Sequence, residues 1–106
     1  MARAGSLRKR YVSFELRMQP APDAESLKKA IYSEALRFFG EFGLSHVALK
    51  LMEFDAGKKI GILRCERTHL EEVLGFLALI DSLDGKSARL ISKKSSGTIA
   101  GLKMAS

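Results

Sequence analysis

The sequence predicts an α+β fold of the order β-α-β-β-α-β, in which four strands form one antiparallel sheet and two helices cover one face of it. Three observations lead to this prediction. Apolar residues alternate with polar ones in four short segments, they recur at helical spacing in two longer segments, and turn-forming residues separate the segments. A chain of 106 residues is long enough for one such domain with a single core.

The first strand and the first helix are separated by a clear break. In "RYVSFELRM" every second position from Val12 to Met18 is apolar, which is typical of a half-buried strand. "QPAPD" ends the strand, and Asp23 is suited to cap a following helix. That helix is predicted from Glu25 to Phe39, with an inward apolar stripe that includes Phe38, and Gly40 and Gly43 are expected to end it.

The remaining elements follow in the same way. "HVALKLMEFD" and "KKIGILRCER" are two strands joined by the turn "DAGKK", and Thr68 with Glu71 has the spacing of a capping box that opens a second helix. "DSLDGK" ends that helix and "SARLISKK" is the fourth strand. "SSGTIAGLKMAS" predicts a short C-terminal helix with Ser96 or Thr98 near its cap. This is the ferredoxin-like order of elements.

The positive charge is concentrated at the two ends of the chain. The formal net charge is +6, and residues 1–18 carry five bases against one acid, whereas residues 86–103 carry five bases and no acid. Residues 1–9 are interpreted as a basic N-terminal arm and residues 10–106 as a single domain. Basic termini around a mildly acidic middle favour a surface that binds a polyanion, and a solvated basic coat is the alternative.

Cys65 lies between Arg64 and Arg67, where cations favour a reactive thiolate. Alternation along the strand nevertheless places its side chain under the helices, which predicts a buried and unreactive thiol. His46 and His69 lack the partners of a metal site. Acylphosphatases share this order of elements, but they orient water with an asparagine and this chain has none. No catalytic residue is therefore predicted.

Phosphate contact is the predicted mode of nucleic-acid binding. The third strand lacks the aromatic residues on which the commonest RNA-binding version of this fold stacks bases. Lysine and arginine contacts to phosphates remain, and they give affinity with little sequence readout. The candidate RNA-binding residues are Arg8, Lys9, Arg10, Arg64, Arg67, Lys93, Lys94 and Lys103.

The sheet face away from the helices is the predicted protein interface, because an apolar open face usually marks one. Its candidate residues are Tyr11, Ala48, Met52, Ile60 and Ile62. The alternative is that the C-terminal helix covers this face.

Four segments in order resemble the eukaryotic and archaeal ribonuclease P and MRP protein family, in its archaeal form. They are "RKRYVSFEL", "EALRFFGEFGLSHVALKL", "IGILRCERTHLEEVLGFLALI" and "SSGTIAGLK". One departure is Ala100, where the family commonly has an arginine after S-G-T-I, and Lys103 is the nearest substitute.

The resemblance implies a non-catalytic subunit of ribonuclease P, which removes 5′ leaders from precursor tRNA with a catalytic RNA. The implied partners are the ribonuclease P RNA, the barrel-shaped ribonuclease P protein component 3 and, indirectly, precursor tRNA; self-association is also open. No cofactor is expected on the protein, since the magnesium is expected on the RNA.

Two other functions stay open from the residues alone, a ligand-binding regulatory domain of the same fold and a small hydrolase. The longest apolar run is far shorter than a membrane span, and the N-terminus lacks the apolar core of a signal peptide. We therefore expect a soluble, cytoplasmic protein.

Overall fold

Residues 8–104 are described by a computed structural model, and their elements follow the predicted order. In chain order they are β1 (Lys9–Arg17), α1 (Ala24–Val47), β2 (Lys50–Asp55), β3 (Ile60–Glu66), α2 (Leu70–Leu79), β4 (Ser82–Leu83), β5 (Lys86–Ser87), β6 (Arg89–Ser96) and α3 (Ile99–Met104). Most of the predicted basic arm, residues 1–7, lies outside the described residues, and β1 begins at Lys9. Within residues 8–104 no helix combines the length and apolarity needed to cross a membrane.

The four long strands form one antiparallel sheet in the order β2-β3-β1-β6. This confirms the predicted ferredoxin-like fold. Val12, Phe14 and Leu16 of β1 are buried in the main core, together with side chains of α1 and α2. Successive strand residues point to opposite faces, so the odd-numbered residues of β1 lie on the other side of the sheet. We call that side the outer face.

The first helix is longer than predicted. It ends at Val47, and β2 starts only at Lys50, so the prediction that the strand starts at His46 is wrong. The predicted end at Gly40 corresponds to a kink between two helical segments, and the second segment was not predicted. Gly40 interrupts the helix with φ 76° and ψ 168°, but the helix resumes beyond it. It resumes because Leu44 and Val47, three positions apart, continue the apolar stripe into the core.

The second helix starts differently from the prediction. The chain leaves β3 through a 3-10 turn, Arg67–His69, and His69 takes the N-cap position of α2 with no side-chain capping bond. The predicted capping box of Thr68 and Glu71 is therefore wrong. The backbone N–H of Arg67 instead donates to the Arg8 carbonyl, at 2.6 Å, which ties this turn to the start of β1.

The segment "DSLDGK" forms a small hairpin of β4 and β5, which the sequence analysis treated only as the end of a helix. Asp84 and Gly85 both have positive φ, at 52° and 78°. Two positive φ values are what a tight type I′ turn requires. The hairpin carries Leu83 into the core, where it is fully buried.

The C-terminal helix α3 lies on the outer face, as its contacts with β1, β6 and Glu53 of β2 show. The Thr98 hydroxyl accepts a hydrogen bond from the N–H of Gly101 at 2.9 Å, which confirms the predicted cap. Leu102 and Ile62 are buried but belong to no part of the main core. We conclude that α3 covers part of the outer face and shields Ile62.

Candidate nucleic-acid and protein interfaces

Basic side chains converge at the end of the sheet where β1 begins and β3 ends. The antiparallel register pairs Lys9 with Glu66 and Tyr11 with Arg64, and the Arg8–Arg67 backbone bond extends the same edge. Five of the eight predicted RNA-binding residues are therefore brought together. We call this surface the basic end, and it consists of Arg8, Lys9, Arg10, Lys50, Arg64 and Arg67.

Lys50 is the member of the basic end that sequence reasoning missed. It is the first residue of β2 and the register partner of Arg64, and its side chain is exposed. The alternating pattern of the second strand already indicated that Lys50 is exposed, since it lies on the face opposite to the buried Leu49 and Leu51. The alternation gives the face of Lys50, but only the register shows that it lies beside Arg64.

One cation of the basic end already has a carboxylate partner. Lys9 forms an ion pair with Glu66, and this hydrogen bond is the main reason why the pKa of Glu66 is lowered. The positive charges of Arg8 and His69 lower the pKa of Glu66 further. Lys9 is therefore less available to a phosphate than the exposed Arg8 and Arg67.

Two guanidinium groups are partly sunk into the protein surface. The Nε atoms of Arg10 and Arg64 are buried and have no hydrogen-bond partner within residues 8–104. A buried polar atom without a partner is costly, so each of these two arginines carries an energetic penalty in this conformation. Alternation places Arg64 on the outer face and Arg10 on the helix side, where Gly97 lies near it; a Cβ on Gly97 would lie 3.8 Å from Arg10 Nη1.

The other three predicted RNA-binding residues lie away from the basic end, over the middle of the outer face. Lys93 is 3.4 Å from Glu15 and Lys103 is 3.3 Å from Glu53, so each has a carboxylate partner. The Lys94 backbone N–H donates to the Ser13 hydroxyl at 3.1 Å. Lys103, the suggested substitute for an arginine at Ala100, is thus engaged within the protein.

Cys65 is placed as the sequence predicted. Its side chain is 1% exposed and belongs to the main core. Burial, followed by the neighbouring Glu66 charge, raises the pKa of the thiol to about 11, against the smaller opposing influence of Arg10 and Lys9. A thiol with this pKa is almost fully protonated at neutral pH and is a poor nucleophile.

Each histidine contacts a neighbour on its own helix. The Nδ1 of His69 lies 2.7 Å from Glu72 Oε1, and the Nδ1 of His46 lies 2.9 Å from the Phe42 carbonyl oxygen. Both contacts are local to one helix. Among the residues that the structure describes, no three histidine, cysteine or acidic side chains are grouped to hold a metal.

The five residues predicted to form a protein interface do not form one exposed apolar surface. Ile60 is 48% exposed, but Ile62 is only 5% exposed beneath α3, so the alternative applies to Ile62. Ala48 is not on the sheet at all; it is the left-handed C-cap residue of α1, so its predicted place on this face is wrong. Tyr11 and the bulged Met52 are half-buried.

A larger apolar surface lies on the helical layer, where the sequence analysis did not expect it. Phe42 is 79% exposed, Leu79 is 69% exposed and Phe38 is 48% exposed, so the prediction that Phe38 points inward is wrong. Phe38 and Leu79 line one cleft with Phe76, and the Phe38 and Phe76 ring centroids are 5.4 Å apart. We call Phe38, Phe76 and Leu79 the helical patch. A cluster of this kind is the usual centre of a protein interface.

Comparison with known proteins places this arrangement in a family. The sequence profile described as the Rpp14/Pop5 family matches residues 10–106. The chain belongs to the Rpp14/Pop5 family. This confirms the resemblance that the four sequence segments indicated.

Relatives in this family match over most of their length. The chain is 33% identical over 96 residues to ribonuclease P protein component 2 of Pyrococcus furiosus, covering 91% of this chain and 80% of that protein. It is 32% identical over 92 residues to ribonuclease P protein component 2 of Methanosarcina acetivorans, covering 87% of this chain and 68% of that protein.

A solved structure shares this fold at lower sequence identity. A chain in the cryo-EM structure of yeast ribonuclease MRP superimposes with a TM-score of 0.69 at 16% identity, covering 87% of this chain and 76% of that one. At this identity the likeness concerns the fold alone.

Proposed function

We propose that this chain is a non-catalytic protein subunit of ribonuclease P, which supports the catalytic RNA in removing 5′ leaders from precursor tRNA. The observation that carries the proposal is the match to curated archaeal component 2 proteins along nearly the whole chain. No cofactor is assigned to the protein, and the magnesium needed for hydrolysis is assigned to the RNA. The alternative hypothesis, a small hydrolase, would need Cys65 as its nucleophile, but this thiol is buried and protonated.

Reconstitution tests this function directly. The isolated protein is expected to leave precursor tRNA intact, and to raise the cleavage rate only when the ribonuclease P RNA is present, together with component 3. A Cys65→Ala variant is the matched control, and it should support the RNA as well as the wild type does. Cleavage by the protein alone that is lost in this variant would replace the proposal with the hydrolase reading.

The proposal assigns the RNA contact to the basic end. Arg8 and Arg67 are both exposed and lie at one edge of the sheet. Arginine presents a planar set of donors that matches two phosphate oxygens, so exposed arginines suit an RNA backbone.

Salt dependence of binding tests the basic end. In Arg8→Gln/Arg67→Gln, the slope of log affinity against log salt should flatten by roughly 0.7–0.9 per lost contact. Lys28→Gln/Lys29→Gln removes the same charge from exposed positions on α1 and serves as the control. Equal slopes for the two double variants would mean that RNA is attracted by overall charge and not by the basic end.

A protein partner is assigned to the helical patch, and component 3 is the partner we propose. The patch offers two exposed apolar side chains, Phe38 and Leu79, around the buried ring of Phe76, whereas the outer face offers mainly Ile60. Buried aromatic anchors contribute most of the binding energy in protein interfaces. The acidic and basic side chains beside the patch, Glu34 and Arg37, pair with each other at 3.4 Å and form a polar rim.

Co-purification with component 3 distinguishes the two faces. Leu79→Asp is expected to abolish the association, because a charge would be buried in the interface. Ile60→Asp tests the outer face that the sequence analysis predicted. Leu36→Asp is the control, since Leu36 is a similarly exposed apolar residue on another side of α1. Loss of the association in Ile60→Asp alone would move the interface to the outer face.

A further inference from the structure

A second group of cations lies at the end of the sheet opposite to the basic end. Arg17, the last residue of β1, and Arg89, the first residue of β6, are direct register partners. Their neighbours Leu16 and Leu90 are buried in the core, so both arginines point to the outer face, where both are exposed. Two like charges directly opposite each other on a sheet destabilise it. An anion bound between the two guanidinium groups would relieve this repulsion.

Nearby carboxylates do not neutralise this group. Glu15 lies 3.7 Å from Arg17, but the same carboxylate oxygen is 3.4 Å from Lys93. Within residues 8–104 no carboxylate pairs with Arg89 or with Lys59. Positive charge is thus in excess at this end.

Shape and rigidity also fit an anion. Arg17, Lys59 and Ser87 line a shallow cleft of about 520 Å³ together with the carboxylate of Glu15, and Arg17 and Arg89 line a second cleft of about 460 Å³. The backbone of Lys59 is held in the turn between β2 and β3. Its carbonyl accepts a hydrogen bond from the Leu16 N–H at 2.8 Å, and its N–H donates to the Asp55 carbonyl at 2.7 Å. Guanidinium, ammonium and hydroxyl donors converging on one cleft are what phosphate recognition needs. We call Arg17, Lys59, Ser87 and Arg89 the far end.

The far end is separate from the basic end. Lys9 and Arg17, at the two ends of β1, are eight residue steps apart. At roughly 3.3 Å per residue, this separates the two surfaces by about 26 Å. The intervening part of the outer face is partly covered by α3, and Lys93 and Lys103 there have carboxylate partners. One short stretch of phosphate backbone cannot satisfy both ends.

We propose that the far end binds a second segment of RNA phosphate backbone, so that one protein molecule holds two RNA segments, one at each end of its sheet. This rests on the proposed function, in that the first segment is the RNA held at the basic end. A subunit of this kind brings two parts of a folded RNA together, which is a structural contribution that a single phosphate site does not make.

A bridging experiment tests the second site. One short RNA hairpin is labelled with a donor dye and a second with an acceptor dye, and native mass spectrometry counts the molecules in each complex. The wild type should form complexes of one protein with two hairpins and give energy transfer. In Arg17→Gln/Arg89→Gln only complexes with one hairpin should remain, and the salt slope should flatten by roughly 0.7 per lost contact. Lys28→Gln/Lys29→Gln should behave as the wild type.

Other outcomes separate the alternatives. Bridging complexes that contain two protein molecules would overturn the proposal in favour of self-association. Binding of two hairpins by Arg17→Gln/Arg89→Gln would also overturn it. If inorganic phosphate raises the melting temperature of the wild type but not of this variant, while RNA binding is equal in the two, the far end binds a free phosphate compound instead.

The two proposals fail in different ways. If ribonuclease P activity is not raised in reconstitution while two hairpins are still bridged through the far end, the proposed function fails and the second site stands. If activity is raised and no complex holds two hairpins, the function stands and the second site is refuted.

Discussion

Cys65 illustrates, at the scale of one residue, how burial outweighs neighbouring charge. Arg64 and Arg67 flank it in sequence, yet its thiol pKa is raised to about 11, because removal from water disfavours the thiolate more than nearby cations favour it. The folded state then keeps a proton that the unfolded chain loses near pH 9, the ordinary value.

The first prediction follows from this difference in proton binding. A raised thiol pKa makes stability fall as pH rises from about 9 towards 11, by about 1 kcal/mol at pH 10. Urea unfolding of the wild type and of Cys65→Ala at pH 8 and pH 10 measures the effect as the difference between the two proteins. The same loss in both proteins would show that lysines and tyrosines, and not Cys65, cause it.

Gly61 is the second residue whose role the packing decides. It lies on β3 under the ring of Phe14, and a Cβ there would lie 2.5 Å from Phe14 Cζ and 3.0 Å from the Glu53 carbonyl oxygen. Gly75, in the middle of α2, has no neighbouring atom within 4 Å of such a Cβ. The two glycines therefore predict opposite responses to the same substitution.

Gly61→Ala should destabilise the protein by about 1–3 kcal/mol, because the overpacked Phe14 has to move. Gly75→Ala should stabilise it by roughly 0.5–1 kcal/mol, because alanine loses less conformational entropy in a helix. Thermal unfolding of both variants checks the pair. A stabilising Gly61→Ala would mean that the sheet accommodates the methyl group.

At the scale of one element, α1 is kinked at Gly40, where the sequence predicted its end. Gly40 adopts φ 76° and ψ 168°, a combination essentially restricted to glycine, whereas Ala48 adopts φ 52° and ψ 48° at the C-cap, where glycine is preferred. The long helix therefore has a well-suited residue at its kink and a strained one at its end. The Ala48 N–H still donates to the Leu44 carbonyl at 3.0 Å, which satisfies the last turn.

The third prediction concerns two opposite substitutions, glycine for Ala48 and alanine for Gly40. Ala48→Gly should raise the free energy of unfolding by a few tenths to about 1 kcal/mol, because it removes the left-handed strain of a side chain. Gly40→Ala should lower it by about 1–3 kcal/mol. Urea denaturation gives both values. A neutral Gly40→Ala would show that the kink can straighten at no cost, since no atom lies within 4 Å of the added methyl group.

At the scale of the whole molecule, the sheet carries two unequal layers. α1 and α2 build the main core on one side of the sheet. On the other side, Leu102 is the one buried side chain among residues 99–103 of α3, and neither Leu102 nor Ile62 belongs to the main core. The two sides should therefore differ in how much stability they contribute.

The fourth prediction is that a chain stopped after Gly97 still unfolds cooperatively. The loss should be about 2 kcal/mol, close to the burial of one leucine, and newly exposed Ile62 should increase binding of an apolar dye. Leu90→Ala, in the main core, is the comparison and should cost about 2–5 kcal/mol. Loss of cooperative unfolding in the truncated chain would show that α3 is part of the core unit.

Several features were determined by the sequence itself. The order of elements, the burial of Cys65 and the Thr98 cap all follow from local periodicity and short-range hydrogen bonding, which need no knowledge of the fold. The family was also visible in the sequence, since four short segments in order indicated it and the profile match over residues 10–106 bears it out.

Other features were decided only by the tertiary structure, because they depend on contacts between distant parts of the chain. A second helical segment follows the predicted end at Gly40 because Leu44 and Val47 pack against a core formed by other parts of the chain. Ile62 lost its exposure because α3 folds over it. The strand register determines that the cations of the basic end are neighbours and that Arg17 lies opposite Arg89 at the far end. Periodicity tells which face a side chain occupies, but only register tells which side chains share it.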